Sequence, residues 1–195
     1  MKKLLPVIII VGLLLIGGGY MISLNNDLVG LDETAAAQWG NVESSYQRRA
    51  DLIPNIVNTA KGYAEFEQET LTKVIEARSK ATAVTIDPSN ITPEQLQQFQ
   101  QVQGNLSSAL ARLLAVFERY PDLKANENFS ELINELERTE NRINVERNRF
   151  NEAVRPYNTR LKEFPASMFV GMLGFDERTY FEAKEGSEEA PVVEF

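Results

Sequence analysis

Hydrophobic positions along this chain recur with helical spacing, and no stretch shows the strict alternation of a half-buried strand. Residues 4–26 carry no charge and are mostly Leu, Ile, Val and Gly, a run long enough to cross a bilayer. From Asp32 to about Val84, large or apolar residues fall at Trp39, Val42, Tyr46, Ile53, Ile56, Ala60, Tyr63, Leu71, Val74, Ala81 and Val84. Steps of three and four mark one helical face. Gly62 is the one candidate break, but the stripe passes through it in phase. The pattern therefore allows either one long helix or two joined at 61–65.

The stretch "TIDPSNITP", 85–93, reads as a linker. Thr92 is the expected N-cap of the next helix, with Pro93 as its first residue and Gln95 closing a capping box. Its stripe runs Leu96, Phe99, Gln103, Leu106, Leu110, Leu113, Phe117 and Tyr120, and Pro121 stops it. "YPDLKANENF", 120–129, is the next turn, and Asn128 with Glu131 suggests a second capping-box start. Phe129, Leu136, Ile143, Phe150, Tyr157 and Phe164 then repeat every seven residues, with Leu132, Ile133, Val154 and Leu161 between them, as in a bundle or coiled-coil seam. Two intermediate turns are polar: Thr139-Glu140 and Glu146-Arg147. After Pro165 the period is lost, and "ASMFVGMLGFDERTYFE" suggests an extended flap on the bundle. Residues 183–195 form an acidic tail expected to be disordered.

Two prolines interrupt these patterns. Pro54 lies in "RRADLIPNIV" and deprives the Ala50 carbonyl of its helical donor; Arg48 and Arg49 are close enough in sequence to substitute. Pro156 stands beside Arg155 in the last helix. Both are expected to kink their helices and curve the bundle. Continuing the stripes also places charges where Leu would be expected. Arg49 follows Tyr46, Arg78 lies between Val74 and Ala81, and Glu140 and Arg147 flank Ile143. Buried charges must be paired, so these four residues predict an internal polar layer in which Glu140 is bonded by Arg49, Arg147 or both. The competing reading is a narrow stripe with all four in water.

Composition narrows the chemistry. The chain has no Cys and no His, which excludes disulfides, thiolate nucleophiles, Cys/His zinc sites and Ser-His-Asp triads. Glu137, Glu140 and Glu146 share one helix, but di-iron bundles use Glu-x-x-His motifs, and no cleft for paired-carboxylate hydrolysis is indicated. The expectation is no enzyme, no metal, no cofactor and no small-molecule substrate. Lys2 and Lys3 precede the apolar run, so the remainder is more acidic than the chain's net −8. That argues against nucleic acid and against electrostatic docking on anionic lipid. No small-x-small cleavage site follows the apolar run, which favours an uncleaved anchor over a signal peptide. Lysines before the span and Asp27, Asp32 and Glu33 after it predict a cytoplasmic N-terminus and an extracytoplasmic domain.

Several stretches are specific words: "NNDLVGLDETAAAQWGNVESSYQRRADLIPNIVNTAKGYAEFE", "ARS", "LSSALARLLAVFERYPDLKANENFSELINELERTENRINVERNRFNEAVRPYN" and "FP…GF…YFE". In this order, covering nearly all of 25–182, they resemble the LemA family of bacterial membrane proteins. Leu24 stands where the family often has Tyr, and 85–93 matches no family word. The resemblance implies an N-terminal anchor and an antiparallel four-helix bundle, tips the choice at Gly62 toward a break, and supplies no reaction.

The resulting expectation is an all-α chain: a stub and transmembrane helix at 1–26, a four-helix bundle at 27–182 (three long helices if Gly62 does not break the first), and the tail. Trp39, Tyr46 and Tyr63 are core. Phe169, Met172 and Phe175 are candidates for contact with a partner or membrane surface, or for packing on the bundle end. The function expected is a scaffold or protein-binding module at the inner membrane, its partners unidentified membrane or envelope proteins. The alternatives are a membrane-tethered hydrolase using carboxylates and a passive spacer.

Overall fold

The computed structural model describes residues 5–62 and 67–182, so Lys2, Lys3, Tyr63 and the tail 183–195 lie outside the described residues. Helix α1, Leu5–Lys61, is one uninterrupted helix of 57 residues that carries the apolar run straight into the bundle. It is long and apolar enough at its start to cross a membrane. No helix end marks position 26: Leu24 and Leu28 are fully buried against Tyr157, Leu161 and Ala166.

The break at Gly62 is real. α1 ends at Lys61, the Gly62 N–H donates to the Thr59 carbonyl at 3.2 Å, and α2 runs Gln68–Thr82. Glycine is a poor helix former, and a Cβ here would press on that carbonyl at 3.3 Å. Helix α3, Pro93–Phe117, opens with the expected capping box: Thr92 Oγ1 accepts from the Gln95 N–H, and Gln95 Oε1 from the Thr92 N–H. The turn after it contains a one-turn helix α4, Pro121–Lys124. Helix α5, Glu127–Lys162, is capped by Asn126, whose side chain accepts from the Phe129 N–H at 2.9 Å. The cap is thus two residues earlier than Asn128, because Asn126 Oδ1 can reach that free N–H. Pro54 and Pro156 both sit inside helices that run through them.

α1, α2, α3 and α5 form the antiparallel bundle, with α1 along α5 and α2 along α3. All elements among the described residues are helical or irregular. The core falls into three clusters along the axis. The distal one includes Ile53, Ile56, Leu106, Leu113 and Leu136; the central one Trp39, Tyr46, Phe99, Ile143 and Phe150; the proximal one Leu24, Leu28, Tyr157 and Leu161.

Phe164 departs from the seam. α5 ends at Lys162, Glu163 is extended, and Phe164 is 81 % exposed. The residue before a proline avoids the helical region, so the seven-residue pattern outlasts the helix. A 3-10 turn, Ala166–Met168, and a short helix α6, Val170–Leu173, follow. Gly174, with φ 76°, terminates α6 in the left-handed region that glycine tolerates. The chain then runs back extended along α5. Two asparagines seven residues apart hold its backbone. Asn158 donates to the Arg178 carbonyl at 2.7 Å and accepts from its N–H at 2.9 Å; Asn151 does the same for Phe181 at 2.9 and 2.8 Å. Phe181 stacks on Trp39 (5.7 Å, 10°) and meets Phe150 edge-on.

Trp39 is the chain's one tryptophan, so its emission reports this contact. Phe181→Ala is expected to shift Trp39 fluorescence to the red and to cost about 3–5 kcal/mol in urea unfolding of the detergent-solubilised chain, the usual range for emptying a buried aromatic site.

Candidate functional site

Arg49 occupies the boundary between the distal and central apolar clusters and is 1 % exposed. Its neighbours on α1, Tyr46 and Ile53, belong to opposite clusters. The guanidinium is held from three sides. Nη1 donates to Glu140 Oε1 on α5 and to Ser107 Oγ on α3, both at 2.8 Å; Nη2 donates to Gln103 Oε1. Gln103 in turn donates to the Ala81 carbonyl of α2 at 3.3 Å. The guanidinium also lies 5.0 Å from the Tyr46 ring centre, within cation–π range. Burial raises the Tyr46 phenol pKa above its ordinary value, against the opposite pull of Arg147 and Arg49. Glu140 is the outer end of the layer, 36 % exposed at its side chain, on a cleft of about 140 Å³.

The four charges singled out by the stripes do not converge on one point. Arg49 and Glu140 meet. Arg78, half-buried on α2, donates its Nε to the Ala50 carbonyl at 2.7 Å. That carbonyl is the one Pro54 leaves without a donor, so its substitute comes from a neighbouring helix and not from Arg48 or Arg49. Arg48 turns outward to Glu135, at 2.6 Å, which also pairs with Arg138 at 2.8 Å. Both hydrogen bonds keep the Glu135 carboxyl below its usual pKa. Arg147 does not reach Glu140. It donates to Gln100 and to the Glu182 carbonyl, and covers the Phe181 ring at 4.7 Å, so it secures the returning segment.

A second polar rung separates the central and proximal clusters. Arg178, itself buried, donates Nε to Asp32 at 2.6 Å and Nη1 to the Pro88 carbonyl at 2.7 Å. Beside it the Tyr157 hydroxyl donates to the Asp176 carbonyl at 2.9 Å; burial, then the nearby Asp32 charge, push its pKa up to about 12. The buried Glu146 is paired with Gln38 at 2.8 Å and Arg149 at 3.0 Å. Sequence reasoning missed Asp32, Arg178, Asn151 and Asn158. The available signal was the pairing of Phe150-Asn151 with Tyr157-Asn158, an aromatic-Asn step repeated after seven residues.

Phe169 and Phe175 are partly buried against the proximal cluster, Phe169 beside Tyr20 at 6.0 Å and Phe175 beside Tyr157. Met172 points outward. At the other end of the bundle, Asn55, Asn58, Thr59, Asn128, Glu131 and Glu135 line an open groove of about 560 Å³.

The LemA family profile matches residues 38–195. The chain belongs to the LemA family. It is also similar to Magnetosome protein MamQ 1 of Paramagnetospirillum magneticum and Magnetosome protein MamQ of Magnetospirillum gryphiswaldense. Each is 25 % identical over 86 % of this chain and 68 % of the relative. Protein LemA of Metamycoplasma hominis is 26 % identical over 74 % of this chain and 62 % of its own length. These names carry no reaction, and the layer around Arg49 consists of groups engaged with one another.

Because Arg78 replaces the N–H that Pro54 lacks, the two residues should be coupled. Arg78→Ala alone is expected to cost about 1–3 kcal/mol, the penalty of an unsatisfied buried carbonyl. In a Pro54→Ala background, where a backbone donor returns, denaturant melts should show a clearly smaller loss. Equal losses in both backgrounds would contradict the assignment. Glu140→Gln should cost about 1–2 kcal/mol by the same measurement, less than for an isolated buried pair, because Ser107 and Gln103 keep their bonds to Arg49 and Glu140 is part-solvated.

Proposed function

We propose that this chain is a single-pass, membrane-anchored protein-binding module whose bundle stands on the extracytoplasmic side of the bacterial inner membrane. The observation that carries the reading is the division of labour in "RRADLIPN". Its inner side commits Arg49 to the core, whereas its outer side contributes Arg48 to the surface and Asn55 to the distal groove. The groove offers amides, a hydroxyl and carboxylates, a lining suited to a hydrogen-bonding protein surface. Helix α1 continues unbroken from the apolar run. Residues 27–61 extend ~52 Å at ~1.5 Å per residue, which carries the groove far from the bilayer on a stiff support. The lysines before the span and the acids after it support the orientation. The similarity to MamQ proteins agrees with work at a membrane but names no partner.

The test is cross-linking of intact spheroplasts with a membrane-impermeant amine reagent, followed by capture of the tagged chain in mild detergent. The native chain should be modified at Lys73 and Lys80 and recover a reproducible partner. The surface variant Asn58→Arg/Glu131→Arg, which adds no amine, should be modified equally at Lys73 and Lys80 but lose that partner. No modification before lysis would refute the orientation. Modification without any reproducible partner would favour a passive spacer.

A further inference from the structure

The loop between α5 and the extended segment has two faces. Its inner face, formed by Ala166, Phe169, Val170 and Leu173, packs on Tyr20, Leu24, Leu28 and Leu31 of α1. Its outer face presents Phe164, Met168 and Met172, exposed by 81, 65 and 77 %. Isolated exposed apolar residues are ordinary, but three large ones on one short loop call for a covering partner. Their position along α1 says which. Between Lys3 and Asp27 the residues without charge or amide end at Leu24. At ~1.5 Å per residue, 5–24 spans ~30 Å, about the thickness of the hydrocarbon core. The whole run is therefore needed to cross it, and its last turn lies at the boundary. That last turn, Tyr20 to Leu24, is where Phe169 and the proximal cluster pack. The outer face of the loop thus continues the exposed apolar surface of α1, where Ile16 and Ile22 are also outside the bundle.

We infer that Phe164, Met168 and Met172 form a second membrane contact, a foot inserted into the headgroup–acyl boundary beside the anchor. The occupant of this surface is neutral lipid. The chain's net negative charge argues against a contact driven by anionic headgroups, whereas unbranched methionines and a phenylalanine adapt to fluid acyl chains. With α1 as one fixed point and the foot as another, the bundle could not swivel freely about the anchor. The inference rests on α1 spanning the membrane.

The absence of cysteine allows clean single-site labelling. Spin labels would be placed at Met168→Cys and Met172→Cys in the full-length chain, reconstituted in phosphatidylcholine vesicles. Ile10→Cys marks the span and Glu76→Cys the aqueous surface of α2. Collision with oxygen, which partitions into lipid, is compared with collision with a water-soluble nickel chelate. The expected result is an oxygen-to-nickel ratio at 168 and 172 several-fold above that at 76 and approaching that at 10. A ratio at both sites equal to that at 76, with the label at 10 in lipid, overturns the foot and leaves the anchor standing. Shielding at 168 and 172 from both reagents would overturn it in favour of a protein contact, such as a second copy. A label at 10 accessible to nickel would refute the anchor, and the foot with it.

Discussion

A fully buried guanidinium organises this bundle. Removing Arg49 from water costs several kcal/mol, and only a set of acceptors in fixed positions can offset that. The set draws on every long helix: Glu140 from α5, Ser107 and Gln103 from α3, and the Ala81 carbonyl of α2 through Gln103. A leucine layer at the same level would pack equally well in several axial registers. In the observed register the layer engages both Nη groups of Arg49 and leaves its buried Nε without an acceptor; in coiled coils single polar core positions of this kind select one register. The apolar clusters lie on either side of this layer.

The same device recurs nearer the apolar start of α1 with its parts exchanged. There the buried arginine, Arg178, lies on the irregular segment, and α1 supplies the carboxylate, Asp32. The returning chain has no helix or sheet to satisfy its backbone, so Asn151 and Asn158 take over that task. Phe181 then enters the aromatic cluster around Trp39 as though it belonged to a fifth element. An irregular segment thereby becomes part of the core without unpaired peptide groups at its two anchor points.

Because α1 is continuous, these layers stand at fixed distances from its membrane-competent start as well as from one another. The rung at Asp32 lies little more than two turns beyond Leu24, and the Arg49 layer about five turns further on, at 3.6 residues per turn. The two polar rungs engage the buried Arg49 and Arg178, and the outward half of "RRADLIPN" is left at the distal end, away from the apolar start of α1. Family membership, the apolar helix and this distribution of polar groups describe a helical bundle built on one long helix, with its buried charges engaged by neighbouring helices.

Much of this was legible in the sequence. Helical periods identify which positions face inward, so the stripes from Trp39 onward placed the core faces and the α5 seam up to Leu161, and the cap residues placed the start of α3; of the charged slots at 49, 78, 140 and 147, Arg49 is buried and the other three are part-exposed. Absence of Cys and His removed whole classes of chemistry, and the apolar run marked the membrane-competent helix. The break at Gly62 was left open by a stripe that stays in phase, and there the family words tipped the balance. Partner choice was not legible. Periodicity gives a side chain's direction around its own helix, whereas a hydrogen bond depends on the rotation and axial offset of the next helix. That is why Arg78, not Arg48 or Arg49, serves the carbonyl freed by Pro54, and why Arg147 holds the returning chain while Glu140 holds Arg49. Phe164 matches the seven-residue repeat and still lies in the open for a local reason: α5 ends at Lys162, ahead of Pro165. The sequence determined most of the inward faces and the buried slot at Arg49; the packing of helix against helix decided that Glu146 and Arg178 are buried as well, and which groups meet there.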